Sequence, residues 1–561
     1  MSEAPSRPSG VRHLIILLLT LMSVLLYLDR FCVSFAGDYI REDLALSQTQ
    51  MSWFLSLFFW SYALSQVPAG WLADRFGARL MLSIYVVAWS LFTAQMGLVG
   101  GFAMLMFARL MCGITQAGAY PTAGGVISRW IPLSKRATAS AWVGIGGRMG
   151  GAMAPILTAF LMVLFVPVNT PVEFTEADLL NESKLADKLT ANESPALLKM
   201  SDAALRIRTL SRHDQPVLKS LNELLQQPDL FDETAFAKVN LPREGIKYAA
   251  RFKEGDKFSS DESRRFNRLL IEAAFPGEVR KLYGRGWRPV MIVYGLSGVI
   301  VAIGIWLIFR ERPELHSRVN DAERALIETG RLMTAADPAS KAGRLPIRPL
   351  FTNFSLWCNC ANQIGTNIGW VFLVTWLSRY FIEMHSVPIL ERSVLVMMPN
   401  LVGLCGGFLG GRWVDWLLPR IGLKWSRSLP PIVTRFIAAG GYGMCLYFAA
   451  QPAGSALNSP YAFTAAFCLI YFSVDLGQSA FWAYAQDAGG KYVGSVLGWG
   501  NMWGNLGAAF GPLLYNSLLG ENPTAAEWNN LFWLGLIAFV FAGIATFGLD
   551  ASKPVFAEET N

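Results

Sequence analysis

Gly70-Trp71-Leu72-Ala73-Asp74-Arg75-Phe76-Gly77-Ala78-Arg79 is echoed, 341 residues later, by Gly411-Arg412-Trp413-Val414-Asp415-Trp416-Leu417-Leu418-Pro419-Arg420. Each stretch has a Gly, an Asp four residues on and an Arg nine on, and each follows a long apolar run. A second echo keeps its own spacing: Gly147-Arg148, Gly150 and Pro155 against Gly504-Asn505, Gly507 and Pro512. Two separate coincidences in corresponding runs indicate a six-plus-six repeat of membrane helices, the layout of secondary transporters that hold a solute between the halves. Gly lets helix ends approach closely, and Asp beside Arg predicts an ion pair that holds one state and breaks in another. Gly70, Asp74, Arg75, Gly77, Arg79, Asp415 and Arg420 are the expected gate at the cytoplasmic surface. The repetition argues against a basic loop with incidental acids.

Around these stretches the composition is that of a membrane protein. Of 561 residues, 53% are apolar and 16% charged, against about 45–50% and about 25% in soluble chains. Several soluble domains of this total length need more polar surface than that, which excludes a soluble enzyme or a nucleic-acid binder. The net charge of +7 is unevenly spread: between Pro167 and Gly286, 19 Lys/Arg balance 19 Asp/Glu, so the surplus belongs to the apolar remainder. All seven cysteines lie in apolar stretches, with no CxxC or Cys/His metal spacing, so neither a disulfide framework nor a metal site is expected. The first apolar run lacks a small-residue cleavage site and contains Asp29-Arg30, so it reads as a retained span.

A hydrocarbon core of about 30 Å needs about 20 apolar residues per helix. On that ruler twelve spans are expected, at about 13–36, 50–73, 79–100, 102–127, 137–166, 287–309, 354–381, 391–417, 428–450, 460–486, 491–519 and 527–549. The runs are too long for barrel strands. The expected fold is therefore all-α: 1–166 carries helices one to five, 167–286 a polar insertion, 287–309 helix six, 310–349 an inter-half linker, 350–549 helices seven to twelve and 550–561 a tail. Lys and Arg cluster at Arg75/Arg79, Arg129/Lys135/Arg136, Arg310 to Arg348, Arg420/Lys424/Arg427 and Lys491, whereas the alternate loops have little besides Arg41 and Arg392. By the positive-inside rule both termini are cytoplasmic, in the inner membrane, and the insertion is exoplasmic. That insertion, with helix-forming stretches such as Ser201 to Leu225 and no catalytic pattern, reads as a small cap.

The first loop resembles the signature of the major facilitator superfamily. Tyr27-Leu28-Asp29-Arg30, Arg109 to Pro121, Trp130-Ile131-Pro132 with Lys135-Arg136, and Asn501-Met502-Trp503-Gly504-Asn505-Leu506-Gly507 resemble its anion:cation symporter branch, which includes hexuronate, galactonate and phthalate permeases, sialin and vesicular glutamate carriers. The likeness covers nearly everything except 167–286, which the usual members lack. It implies the major facilitator fold and a small organic anion as solute, with no cofactor and H⁺, or Na⁺ as the alternative, as coupling ion.

Charges at mid-span cost at least about 2.5–3.5 kcal/mol, so Asp29, Arg30, Arg109, Arg148 and Asp475 each need a partner, a wet cavity or a ligand. Among the first four, three cations face one anion, a surplus that an anionic solute would complete. Tyr27 and Arg30 share a helix face, and a guanidinium can grip a carboxylate with two parallel bonds; the resemblance assigns Arg30 to the substrate carboxylate, the alternative being a structural Asp29–Arg30 pair. Asp29 is the candidate proton site, because a carboxylate taken out of water favours its protonated form; the alternative is a permanently ionised partner of Arg109 or Arg148.

Two positions depart from the family pattern. Gln116 stands where relatives carry a Glu implicated in proton coupling, which leaves Asp29 alone, or Asp475 in its place, or a reduced stoichiometry. Arg148 stands where the sugar-acid permeases have a substrate-binding Gln, which shifts the cavity towards positive charge and predicts a more anionic substrate, such as a dicarboxylate, or else an internal pair of Arg148 with Asp475 or Asp29. By resemblance Thr375 and Trp376 would bind sugar hydroxyls, with Ser378-Arg379 replacing the usual Pro. Tyr62, Asn501 and Asn505 complete the expected substrate site, and Gln363, Asn367, Asn400 and Trp482 are further polar groups of the second half. The expected protein is a monomeric H⁺-coupled carrier of a sugar acid, a hexuronate, aldonate or dicarboxylate, in the lipid bilayer. A membrane sensor that uses the insertion without net transport is the rival.

Overall fold

A computed structural model describes residues 7–165, 172–190, 217–226, 241–275, 277–328, 342–452, 454–519 and 523–556. Among these residues there is no strand, only an isolated antiparallel bridge between Leu179 and Val279. The long helices are α1 Val11–Phe35, α2 Gln48–Phe76, α3 Ala78–Met96, α4 Phe102–Trp130, α5 Arg136–Leu164, α6 Trp287–Ile308 and α7 Phe354–Thr375. A continuous stretch Ile389–Ala449 follows, which Gly422 at φ 76° divides into α8 (389–421) and α9 (423–449). The series ends with α10 Pro460–Ala488, α11 Val493–Leu519 and α12 Ala525–Thr546.

Eight stretches among the described residues are long and apolar enough to cross a membrane, with α8 and α9 together forming one of them. Helices α2, α7 and α11 fall short because of what they carry. Asn359, Asn362, Gln363, Thr366 and Asn367 lie along α7, and a Cβ added to Gly500 or Gly504 of α11 would stand 2.4 Å from Gln363 Nε2 or 3.0 Å from Asn367 Nδ2. The amides of α7 lie against the glycines of α11, so polarity and close packing come together. The seventh helix also ends earlier than its apolar run predicts: Trp376 caps α7, and a separate short helix, Leu377–His385, follows.

Within each half, glycines set the helix spacing. A Cβ on Gly146 or Gly150 of α5 would lie 2.5 or 2.2 Å from the Thr20 or Val24 carbonyl oxygen of α1. In the second half, a Cβ on Gly406 or Gly410 of α8 would lie 2.3 or 2.1 Å from the Phe472 or Leu476 carbonyl oxygen of α10.

The two ends of the bundle are built differently. At one end Glu311 accepts the Arg79 backbone N–H at 2.6 Å and pairs with Arg129 at 2.7 Å, Glu323 pairs with Arg12 at 3.1 Å, and the Ala342 N–H reaches the Asp74 carbonyl at 3.3 Å. This linker end gathers the start of α1, the basic loops and residues 310–328.

The insertion sits at the other end. It has its own apolar core, including Phe174, Leu185, Leu221, Leu224, Phe266 and Leu270. Ser259 and Glu262 form a reciprocal capping box that starts its helix Ser260–Ala274. Of the predicted Ser201 to Leu225 helix, Val217–Leu225 is helical and the remainder lies outside the described residues. Arg268, fully buried, bonds Glu272 at 2.8 Å, pairs with Asp178 at 3.4 Å and donates to the Val172 and Glu173 carbonyls. Burial outweighs that attraction at Glu272 and holds its carboxyl up at about 7. Arg280 and Arg288 fasten the insertion and α6 to Asp43 at 3.0 and 2.8 Å.

Candidate functional site

The gate residues meet the opposite half. Asp74, in the last turn of α2, accepts the backbone N–H groups of Gly494 and Ser495 at 2.9 and 2.8 Å and the Ser495 hydroxyl at 2.8 Å. Asp415 of α8 accepts the N–H groups of Ala137 and Thr138 at 3.2 and 2.8 Å and the Thr138 hydroxyl at 2.7 Å. Each aspartate thus caps the first turn of a helix in the other half, where unpaired N–H groups and the positive end of the helix dipole welcome an anion. The two echoes in the sequence are the two sides of one contact, made twice. Gly70 and Gly411 allow it, since a Cβ at either would stand 2.3 Å from the Gly494 or 2.8 Å from the Ala137 carbonyl oxygen.

This arrangement corrects the expected Asp–Arg gate pairs. Arg75 lies over the Trp71 ring at 5.2 Å, Arg79 donates to the Trp306 carbonyl, and Arg420 packs on Trp416 at 3.8 Å. The cation near Asp415 is Arg427, at 3.8 Å, and Arg427 and Arg136 both bind Asp487, at 2.8 and 2.7 Å. Gly77, at φ 99°, makes the turn between α2 and α3 against Glu311. Together these contacts seal the linker end.

Deeper in the first half, Arg30 is ringed by aromatic faces, with Tyr62, Tyr27 and Phe58 centred 4.4, 4.9 and 5.0 Å from its guanidinium carbon. Its Nε and Nη2 have no hydrogen-bond partner. Arg109 lies over Phe58 too, at 4.4 Å, also with unpartnered donors. Cation–π contact steadies such groups without satisfying their N–H bonds. Asp29 is fully buried and makes no ion pair among the described residues; the Trp89 indole N–H faces it without closing a hydrogen bond. Asp29 and Arg30, adjacent in sequence, are not paired. Gln116 is buried with its amide unpartnered.

Arg148 takes the partner that the sequence left open: it bonds Asp475 of α10 at 2.5 Å, across the seam between the halves, with its guanidinium 5.3 Å from the Trp370 ring. Across the same seam Tyr120 meets Trp482, ring centroids 4.9 Å apart, and Tyr120 is tied to Ser23 at 2.8 Å. Gly147 leaves room for Tyr27 and Tyr120.

Other candidates are placed differently. Trp376 is buried and stacked on Tyr515 at 5.0 Å inside the aromatic core of the second half; Thr375 is exposed in the last turn of α7. Asn505 donates to the Asn501 carbonyl at 2.7 Å, and both side chains are half-buried. The sequence reading missed Arg435 of α9, which is fully buried, has unpartnered Nε and Nη2, and donates from Nη1 to the Val474 carbonyl at 3.2 Å. It also missed Tyr471, whose buried hydroxyl is unpartnered. No group of His, Cys, Asp and Glu among the described residues is arranged to hold a metal ion.

Residues 19–168 and 281–512 match the family model described as Major Facilitator Superfamily. The chain belongs to the major facilitator superfamily. It is a membrane transporter and not an enzyme, and the interval between the matched segments is the insertion. A probable galactarate/D-glucarate transporter of Bacillus subtilis is 24% identical over 98% of this chain and 97% of its own length. A probable sulfoacetate transporter of Cupriavidus necator is 23% identical over 91% of this chain and 87% of its own. In fold, the chain is similar to the superfamily transporter FucP, with a TM-score of 0.53 at 13% identity, covering 96% of this chain and 99% of that one.

Proposed function

We propose that the protein is a secondary active transporter of a sugar-acid anion, preferentially one with two acidic groups, working by alternating access with H⁺ symport. The observation that carries this is Arg30: a buried guanidinium positioned by three rings, with donors to spare for a carboxylate, beside the phenols of Tyr27 and Tyr62. Charge balance extends the reading. With Asp29 ionised, Arg30 and Arg109 outnumber it by one, and Arg148 and Arg435 outnumber Asp475 by one, so a dianion neutralises both surpluses before a proton is loaded. Galactarate, glucarate and sulfoacetate, which name the similar transporters, each carry two acidic groups.

Asp29, in the Asp29-Arg30 pair of neighbours, is the proton site in this reading. The twelve expected spans follow if α8 and α9 count separately and the polar helices α2, α7 and α11 also cross, shielded by their neighbours. The linker end and both termini are then cytoplasmic, the membrane is the inner one, the insertion is exoplasmic, and the sealed linker end makes this the outward-facing state of a monomer. Uptake into proteoliposomes, over a panel of uronates, aldonates and aldarates with and without an inward pH gradient, tests it. Gradient-driven accumulation of a diacid is the expected result, and binding without counterflow would favour the sensor.

A further inference from the structure

Asp475 has two cations within reach, on opposite sides of the seam. Arg148 of α5 holds it at 2.5 Å. Arg435 of α9, in its own half, lies within electrostatic reach of the same carboxylate, anchored on the Val474 carbonyl and over the Phe481 ring at 5.3 Å, with Nε and Nη2 unpartnered. On the α8 side Gly403 and Gly407 lie against Asp475, and a Cβ on Gly403 would stand 2.7 Å from Asp475 Oδ2, so the glycine makes the space that the carboxylate occupies. Tyr471, one turn before Asp475, is the remaining titratable group facing it among the described residues.

We infer that Asp475 exchanges partners: a substrate carboxylate takes Arg148, and Asp475 passes to Arg435, breaking the bridge between the halves while keeping every buried charge paired. A buried carboxylate stripped of its partner is strongly unfavourable, and a reserve guanidinium removes that obstacle without a proton. Arg435 is therefore a positioning residue, and Asp475 a substrate-released tie between the halves. This rests on the proposed anion substrate for its trigger, though the exchange can be tested without substrate.

Two measurements decide it. In detergent-purified full-length protein, Arg148→Gln and Arg435→Gln should each keep the unmodified protein's dependence of melting midpoint on pH between 5.5 and 8, because Asp475 keeps one partner. The double variant should lose more midpoint than the unmodified protein as pH rises, because its unpaired carboxylate folds best when protonated. An added pH slope in either single variant, or none added in the double, overturns the exchange. In galactarate counterflow, Arg435→Gln should add a loss of apparent affinity of about tenfold per pH unit on the alkaline side, and adding Asp475→Asn should abolish it; an unchanged slope in Arg435→Gln overturns the inference. Absence of any galactarate exchange by the unmodified protein, with the melting pattern as expected, would remove the substrate reading and leave the exchange standing.

Discussion

Arg30 shows how much a single side chain decides. Its guanidinium is flat enough to lie among Tyr27, Phe58 and Tyr62 and still offer two parallel donors. Arg30→Lys keeps the charge but supplies a point donor that cannot grip a carboxylate with two bonds, so the transport KM should rise about tenfold or more, read by counterflow; an unchanged KM would place the carboxylate elsewhere. Asp29, Arg30 and Arg109 were legible from sequence because a charge inside an apolar run is costly and conspicuous. Arg435 obeys the same rule but stands eight residues beyond Arg427, near enough to a basic loop for a long side chain to be read as reaching out of the membrane. Only the fold shows it turned onto α10 and fully buried. Arg148 left two readings open, since a sequence cannot say which helix faces it across the seam.

At the scale of helices, α5 separates glycines that the sequence made look alike. A Cβ on Gly150 would stand 2.2 Å from the Val24 carbonyl, whereas one on Gly144 meets nothing within 4 Å. Gly150→Ala should therefore destabilise by about 1–3 kcal/mol through overpacking, while Gly144→Ala should leave the melting midpoint unchanged or slightly raised; equal effects would contradict the packing described. The insertion has its own dependence on pH. Glu272 titrates at about 7 in the folded insertion against an ordinary 4.5, so folding is favoured by its protonated form, fully so below about 4.5, and loses that support as pH rises through about 7. Hydrogen exchange in Ser260–Ala274 should accelerate from pH 5 to 8 beyond the intrinsic rate, and Glu272→Gln should flatten the effect. The sequence marked the insertion as helical and charge-neutral, but its core depends on contacts between distant segments such as Phe174 and Phe266, which periodicity cannot reveal.

For the molecule as a whole, the twice-made contact between halves sets the balance between its two states. The repeat itself was legible, spacing for spacing; the partner of each aspartate was not, because adjacency pointed to arginine. Replacing Asp74 and Asp415 by Asn weakens charge-assisted hydrogen bonds worth about 1.4 kcal/mol each, about tenfold in population per site. Spin-label distances between the end of α2 and the start of α11 should lengthen stepwise from single to double variant, and unchanged distances would show that Asp487 with Arg136 and Arg427 holds that end alone. The acceptors in this clasp are two particular carboxylates, but most of the donors are main-chain amides at Ala137, Thr138, Gly494 and Ser495. Every amino acid except proline brings the same amide. The receiving ends are thus freer to drift in sequence, and mutational tolerance across the seam should be lopsided: strict at Asp74 and Asp415, and permissive for small residues other than proline at Ala137, Thr138 and Ser495, though not at Gly494, where a Cβ would stand 2.8 Å from Asp74 Oδ1.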